Sequence, residues 1–93
     1  METFDGVFDA LADTPAESAN MTARADVLLA IRERVKVWTI TQEDAAARLG
    51  LTRPRLDDLM RGKLDKVSLD ALVNIATAAG FKLHIEIEDA KAA

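Results

Sequence analysis

Residues 41–63 read TQEDAAARLGLTRPRLDDLMRGK, and they are the most informative part of the sequence. It contains two short helical patterns, because Thr41 and Thr52 each stand where the residue that caps a helix N-terminus is expected. Gly50 and Gly62 follow the two patterns, and glycine is the residue that most often ends a helix. The stretch therefore predicts two short helices that are joined by a tight turn and cross steeply.

The apolar residues of this stretch predict how the two helices pack. Ala46 is small enough to permit close approach where the helices cross. The leucines expected to lock the pair together are Leu49, Leu51, Leu56 and Leu59. With one side held in this way, the second helix projects its other side outward, and its size fits the major groove of DNA.

A longer helical pattern precedes this pair, and another one follows it. We expect the preceding helix to begin after an N-cap at Thr22. Its apolar positions keep a helical spacing and are Val27, Leu28, Ile31, Val35 and Trp38. The following helix opens at Val67 and Ser68 and closes at Gly80. The chain is therefore predicted to be mainly all-α, with four or five helices.

After Gly80 the period of the pattern changes from that of a helix to that of a strand. Residues 81–88 alternate between apolar and polar side chains, and the apolar ones are Phe81, Leu83, Ile85 and Ile87. This is the one convincing strand pattern, and the backbone groups of a strand need partners. We expect the strand to pair with its own copy across a two-fold axis in a homodimer. The alternative partners are a strand of another protein and a segment near Glu2–Val7.

The N-terminal 21 residues differ in charge from the rest of the chain. They carry five acidic and no basic residues, whereas residues 22–63 carry nine basic and six acidic ones. A short helix with one apolar stripe is predicted from the spacing of Phe4, Val7, Phe8 and Leu11. Residues 13–21 contain Pro, Ser and Asn and are predicted to form a linker. We therefore divide the chain into an acidic arm, residues 1–21, and a domain, residues 22–93, with different partners.

The composition excludes several classes of function. Ninety-three residues allow one domain. Cysteine is absent, which excludes disulfides and thiolate metal sites. His84 is the single histidine, so a histidine-based zinc site or a nucleophilic triad is not expected. We expect no enzymatic activity, catalytic residue, metal or cofactor. No apolar run is long enough to cross a membrane and no secretion signal is evident, so a cytoplasmic location is predicted.

The stretch 41–63 resembles the helix-turn-helix of the XRE (Cro/phage repressor-like) regulators. The resemblance rests on the small residue at Ala46, the turn glycine at Gly50, and the apolar pair Leu56 and Leu59. It implies a compact DNA-binding domain of the XRE type. The second helix of the pair would be the recognition helix, which lies in the major groove.

The resemblance extends over residues 22–88. The run Val67–Leu72, the closing Gly80 and the segment FKLHIEI at 81–87 are similar to a compact XRE subgroup that is often paired with RelE-like toxins. HigA-type antitoxins are the best-known members of that subgroup. In the arm, VFDAL at residues 7–11 is similar to an N-terminal leader found in that subgroup.

The resemblance also implies roles for individual residues. Arg53 and Arg55, in the first turn of the recognition helix, would reach into the groove, where arginine suits the O6 and N7 atoms of guanine. Gln42 would bind a phosphate at a helix N-terminus, and Thr52 would cap the recognition helix and contact phosphate. The residues expected to hold the flanking DNA backbone are Arg61 and Lys63.

Asp57 and Asp58 depart from the pattern of these regulators, which place polar or basic residues there. Carboxylates near phosphates oppose DNA binding. The cytosine N4 amino group is the base feature that would donate a hydrogen bond to an aspartate. Three alternatives follow: Asp57 reads a cytosine, Asp58 forms a salt bridge with Arg55 or Arg61 and faces away, or DNA binding is weak or lost.

Two functions of different classes are consistent with this resemblance. The first is an antitoxin that represses its own promoter at a palindromic operator and neutralises a small basic RNase-like toxin of the RelE/HigB type. Its candidate toxin contacts are the apolar residues of the arm, Phe4, Val7, Phe8 and Leu11, and the alternative is another surface of the chain. The second is a free-standing XRE repressor with no toxin partner. A dimeric interaction module without DNA binding is a third possibility.

Overall fold

A computed structural model describes residues 14–89, and this part of the chain is mainly helical. Its helices are α1, Pro15–Val37; α2, Gln42–Leu49; α3, Arg53–Met60; and α4, Leu69–Ala78. A short 3-10 turn, Leu64–Lys66, joins α3 to α4. The mainly helical fold is thereby confirmed for the described residues, whereas the predicted arm stripe of residues 4–11 lies outside them.

Helix α1 begins eight residues earlier than the sequence predicted. Thr14, and not Thr22, is its N-cap, and the Thr14 Oγ1 accepts a hydrogen bond of 3.0 Å from the backbone N–H of Glu17. The predicted linker at 13–21 is therefore wrong from Pro15 onward. The linker prediction treated proline and serine as helix breakers, but proline is well tolerated in the first turn, where its missing N–H has no helical partner.

The other helix starts are confirmed. The side chain of Thr41 accepts from the N–H of Asp44 at 3.0 Å, and that of Ser68 accepts from the N–H of Ala71 at 3.1 Å. Both bonds satisfy a backbone donor that the first helical turn would otherwise leave without a partner. The capping pattern therefore sets where α2 and α4 begin.

The core is formed by the apolar sides of all four helices. Ile31, Leu56 and Leu72 are its fully buried large side chains, and they come from α1, α3 and α4. The remaining buried residues are Leu28, Val35, Ala45, Ala46, Leu49, Leu59, Ile75, Ala76 and Ala79. Burying a large aliphatic side chain stabilises the fold by about 1.5–3 kcal/mol, so this cluster is the main source of stability.

Two arginines of α1 fasten the connections between the helices. Arg24 Nη1 donates hydrogen bonds to the carbonyl oxygens of Leu64 and Val67, at 2.6 and 3.2 Å. Arg34 Nη1 donates to the carbonyl oxygen of Ala79 at 3.0 Å. The Leu64 carbonyl also accepts from the Val67 N–H at 3.4 Å, and all three carbonyl groups lie in or beside turns, where the guanidinium groups supply further donors.

Residues 81–89 form neither a helix nor a strand in this structure. Phe81 and Leu83 are partly buried against the core, whereas Ile85 and Ile87 are 69% and 90% exposed. Residues 14–89 offer these backbone groups no neighbouring strand, and a strand requires one. The strand at 81–88 and its pairing in a homodimer therefore stay predictions.

Within residues 14–89, no helix has both the length and the apolar character needed to cross a membrane.

Candidate nucleic-acid interface

The α2–α3 pair has the geometry of a helix-turn-helix. Gly50 ends α2 in the left-handed conformation, with φ at 73°. The N–H of Gly50 donates to the carbonyl of Ala47 at 3.1 Å, and that of Leu51 donates to the carbonyl of Ala46 at 2.8 Å. These two bonds close the end of α2 and direct the chain immediately into α3. Glycine is required here because other residues rarely adopt this φ.

Buried side chains fix how α3 is rotated about its own axis. Leu56 and Leu59 are the buried residues of α3, and they pack in one core with Ala46 and Leu49 of α2. Since each residue turns a helix by about 100°, the opposite side of α3 must face solvent. Its exposed residues are Arg53, Pro54, Arg55 and Asp57. The pair therefore presents a polar helix face of the kind that the sequence predicted.

The predicted phosphate contacts lie at helix starts and are exposed. Gln42 is the first residue of α2, and Thr52 is the N-cap of α3. The Thr52 Oγ1 accepts from the N–H of Arg55 at 3.3 Å, which leaves its own hydroxyl hydrogen to donate elsewhere. The capping role of Thr52 is confirmed, and contact of either residue with phosphate stays a prediction.

Both aspartates of α3 lie near basic residues. Arg53 Nε is 3.9 Å from Asp57 Oδ1, and Lys63 Nζ is 3.9 Å from Asp58 Oδ1. The alternative in which Asp58 pairs with Arg55 or Arg61 is wrong, because the turn after α3 brings Lys63 back beside Asp58. That turn is closed by a 3.1 Å hydrogen bond from the backbone N–H of Lys63 to the carbonyl of Asp58.

Arg55 and Arg61 differ from Arg53 and Lys63 in their surroundings. Both are exposed, and neither forms an ion pair with another residue of the described chain. Their full positive charges are therefore directed to solvent on and just beyond α3. An unpaired guanidinium group attracts phosphate more strongly than one that is neutralised by a neighbouring carboxylate.

Lys66 is a basic residue of this surface that the sequence reading missed. It belongs to the 3-10 turn after α3, and it lines the same small cavity as Arg55, Asp58 and Lys63. The signal was present in the sequence, since Lys63 and Lys66 are three residues apart and a 3-10 turn places such residues on one side.

A groove lies beside the residues predicted to form the dimer. Its volume is about 250 Å³, and it lies between α1 and the C-terminal segment. The residues that line it are Asp26, Val27, Ala30, Ala76, Phe81, Lys82, Leu83 and His84. Phe81 and Leu83 thus line a concave surface, while Ile85 and Ile87 extend beyond it.

The described residues contain no cluster of three or more His, Asp or Glu side chains that could hold a metal ion.

Comparison with known proteins agrees with this geometry. The sequence pattern of a helix-turn-helix domain family matches residues 10–88, which is most of the chain. The match is consistent with the resemblance to XRE regulators, and it supports DNA binding. No curated protein shows significant sequence similarity to the chain. The protein belongs to the helix-turn-helix domain family matched over residues 10–88.

Proposed function

We propose that this protein is a sequence-specific transcriptional repressor that binds a palindromic operator as a homodimer and acts on its own promoter. The observation that carries the proposal is the exposed polar face of α3, held outward by the buried Leu56 and Leu59. A helix held in this way can enter the major groove without disturbing the core.

The exposed residues divide into those that read bases and those that hold the DNA backbone. Arg53 and Arg55 would donate to guanine, and Asp57 would accept from a cytosine N4 amino group. The residues that would contact phosphates are Gln42, Thr52, Arg61 and Lys63. Because these contacts displace counterions, affinity should fall steeply with salt, by roughly 10³–10⁵ between 50 and 200 mM for six to ten phosphate contacts.

Dimerisation would use the C-terminal segment. Its alternating apolar side chains, two of which are exposed, support pairing of residues 81–88 with those of a second copy. The groove beside Phe81 and Leu83 offers apolar surface that the partner's segment could cover. Two recognition helices joined through a two-fold axis would read half-sites about 34–36 Å apart.

The double variant Arg53→Ala/Arg55→Ala tests the recognition helix. We expect it to keep its fold by circular dichroism and to lose roughly 30-fold or more in affinity for its own upstream DNA, since two bidentate arginine contacts of about 1–3 kcal/mol each are removed. The matched control is Arg48→Ala on α2, which removes a cation that stacks on Trp38. Unchanged operator affinity in the double variant would leave a dimeric interaction module without DNA binding as the better description.

The variant Ile85→Asp/Ile87→Asp tests the dimer. We expect light scattering to give twice the chain mass for the wild type and the mass of one chain for the variant, with a large loss of operator affinity. The control is Lys82→Asp/Glu86→Asp, which changes two of the exposed polar residues that alternate with the apolar ones. A wild type that is a monomer at micromolar concentration would contradict the dimer.

We further propose that the repressor is the antitoxin of a type II pair and neutralises a small basic toxin of the RelE/HigB type. The support is the similarity of residues 67–87 to HigA-type antitoxins and the acidic composition of the arm, which suits a basic partner. The rival is a free-standing XRE repressor. Affinity purification of the tagged chain from its host separates them: a stoichiometric small basic protein supports the antitoxin, and a homodimer without such a protein supports the rival.

The structure changes where the arm should be cut to locate toxin binding. Deleting residues 1–21 would remove the Thr14 cap and the first seven residues of α1, so it would damage the helix as well as the arm. Deleting residues 1–13 keeps Thr14 as the cap. We expect this shorter deletion to abolish toxin binding and to preserve operator affinity; retained toxin binding would place the toxin on residues 14–89.

A further inference from the structure

We propose that Arg53 and Asp57 form a charge-neutral reading pair in which Asp57 determines specificity for a G·C base pair in each half-site. This inference rests on the proposed DNA-binding function and deepens it. The observation behind it is the approach of Asp57 Oδ1 to Arg53 Nε at 3.9 Å on the exposed side of α3.

The position of the pair follows from helix geometry. Arg53 and Asp57 are four residues apart, so their side chains are neighbours on the surface of α3. Leu56 and Leu59 point into the core, and at about 100° per residue Asp57 lies roughly 130° around the helix from their mean direction. The side chains of Arg53 and Asp57 are 47% and 52% exposed. Arg53 lies about 90° from the same direction, so both charged groups are on the solvent-exposed side of the helix.

The atom that faces the carboxylate determines what Arg53 can still do. The contact falls on Nε, near the base of the guanidinium group. The two terminal Nη groups remain able to donate together to the O6 and N7 atoms of a guanine. Asp57 has a second carboxylate oxygen, which can accept from a cytosine N4 amino group in the same groove. Arg53 would thus recognise the guanine and Asp57 the cytosine, in one G·C pair or in neighbouring G·C pairs.

The charge of the pair argues against a role as a phosphate clamp. Arginines that bind phosphates act through net positive charge and counterion release, and a neighbouring carboxylate cancels that charge. Arg61, which forms no ion pair within residues 14–89, is suited to that role. With its charge offset by Asp57, Arg53 is better suited to reading a base than to general attraction to DNA.

The second pair, Lys63 and Asp58, has a different position and does not share this role. Lys63 lies beyond the end of α3, in the turn whose backbone N–H donates to the carbonyl of Asp58. Their side chains are also less exposed, at 40% and 31%. This pair therefore lies at the turn after the recognition helix, from where Lys63 can still reach the flanking DNA backbone, and Asp58 serves as a contrast for Asp57.

The test uses Asp57→Asn, which removes the charge and keeps the shape of the side chain. The matched control is Glu33→Gln, because Glu33 also forms an exposed ion pair, at 3.6 Å from Lys36 on α1. Exposed pairs of this kind contribute little to stability, so both full-length variants should fold as the wild type does. Each protein is used to select binding sites from a random double-stranded DNA library. Affinities for the selected site, its single base-pair variants and a fixed unrelated duplex are then measured at several salt concentrations.

We expect the wild type to select a G·C pair at one defined position in each half-site and to discriminate against other pairs there by roughly 5- to 150-fold. In Asp57→Asn this discrimination should fall to a few-fold. Its affinity for the unrelated duplex should rise, and its salt slope should steepen by about 0.9 as Arg53 becomes free to bind a phosphate. Arg53→Lys should lose discrimination at the same base pair, because lysine lacks the planar fork. Glu33→Gln should match the wild type.

Three results would overturn the inference. Discrimination by Asp57→Asn that equals the wild type at every position would show that Asp57 merely repels phosphates. If Asp57→Asn and Arg53→Lys lost discrimination at different base pairs, the two residues would not act as a pair. A wild type that enriches no sequence would overturn the proposed sequence-specific function itself, and that result is distinct because it involves no variant.

Discussion

The α2–α3 pair and residues 81–89 both have regular sequence patterns. Of these two regions, the helix pair has regular secondary structure and residues 81–89 have none. A helix satisfies most of its backbone hydrogen bonds within its own segment, and Thr41 and Thr52 complete the starts of α2 and α3. A strand pattern specifies only half of a pairing, because its hydrogen-bond partners lie on another segment. A strand predicted from sequence is therefore also a prediction about a partner.

The largest effect that we predict is on the core of the helix pair. Leu56 has no exposed surface, so Leu56→Ala should lower the free energy of unfolding by about 2–5 kcal/mol, measured by urea denaturation. The control is Leu29→Ala, which removes the same atoms at a position that is 55% exposed and should cost less than about 1 kcal/mol. Equal losses would mean that α3 is not held as described.

A smaller effect is expected where the C-terminal segment leaves the core. The Arg34 guanidinium lies 3.8 Å from the centre of the Phe81 ring and also donates to the carbonyl of Ala79. Arg34→Ala should lower the free energy of unfolding by about 1–2 kcal/mol, since both contacts are lost. It should also speed hydrogen exchange of the Phe81 N–H, which donates to the carbonyl of Ala76 at 3.0 Å. Arg34→Lys keeps the charge, so its free energy of unfolding should lie between those of the wild type and Arg34→Ala. If Arg34→Ala were as stable as the wild type, Arg34 would not anchor the segment.

The cap of the recognition helix should contribute about 1 kcal/mol. Thr52→Ala removes the oxygen that accepts from the Arg55 N–H, and loss of such a cap costs about 0.5–2 kcal/mol. Thr52→Ser keeps the hydroxyl group and should restore stability in thermal unfolding. If the serine variant were as unstable as the alanine variant, the hydroxyl would not be what stabilises the start of α3.

The smallest effect on the stability of a single chain is expected at Ile87. This side chain is 90% exposed, so Ile87→Ser should change the free energy of unfolding at low concentration by no more than about 0.5 kcal/mol. At high concentration the wild type alone should gain stability, because dimerisation stabilises the folded state by mass action. A wild type whose melting temperature does not depend on concentration would contradict dimerisation through residues 81–88.

Local signals in the sequence were sufficient for most of the helical fold. The caps at Thr41, Thr52 and Ser68 and the turn at Gly50 were all predicted, because each needs only residues close by in the sequence. The start of α1 was missed for a related reason. The polar residues between Thr14 and Thr22 favoured a linker, but the helix cap is formed at Thr14 and α1 includes those residues.

The candidate site was less predictable than the fold. The exposure of Arg53 and Arg55 followed from the apolar pair Leu56 and Leu59, which sets the rotation of α3. The partner of Asp58 did not follow, because it depends on how the chain folds back after Gly62. Side-chain pairing across a turn is a three-dimensional property, and spacing along the sequence gives no direct measure of it.

The early start of α1 has a consequence for hydrogen exchange along this one helix. Residues 15–20 are exposed, whereas Leu28, Ile31 and Val35 further along belong to the core. Amide protons at 18–20 should therefore exchange through local opening, while those near Ile31 should exchange only when the whole domain unfolds. A molecule that binds at the start of α1 would slow the first group and leave the second unchanged. Exchange near Ile31 thus serves as a reference within the same helix for detecting what binds at its N-terminal end.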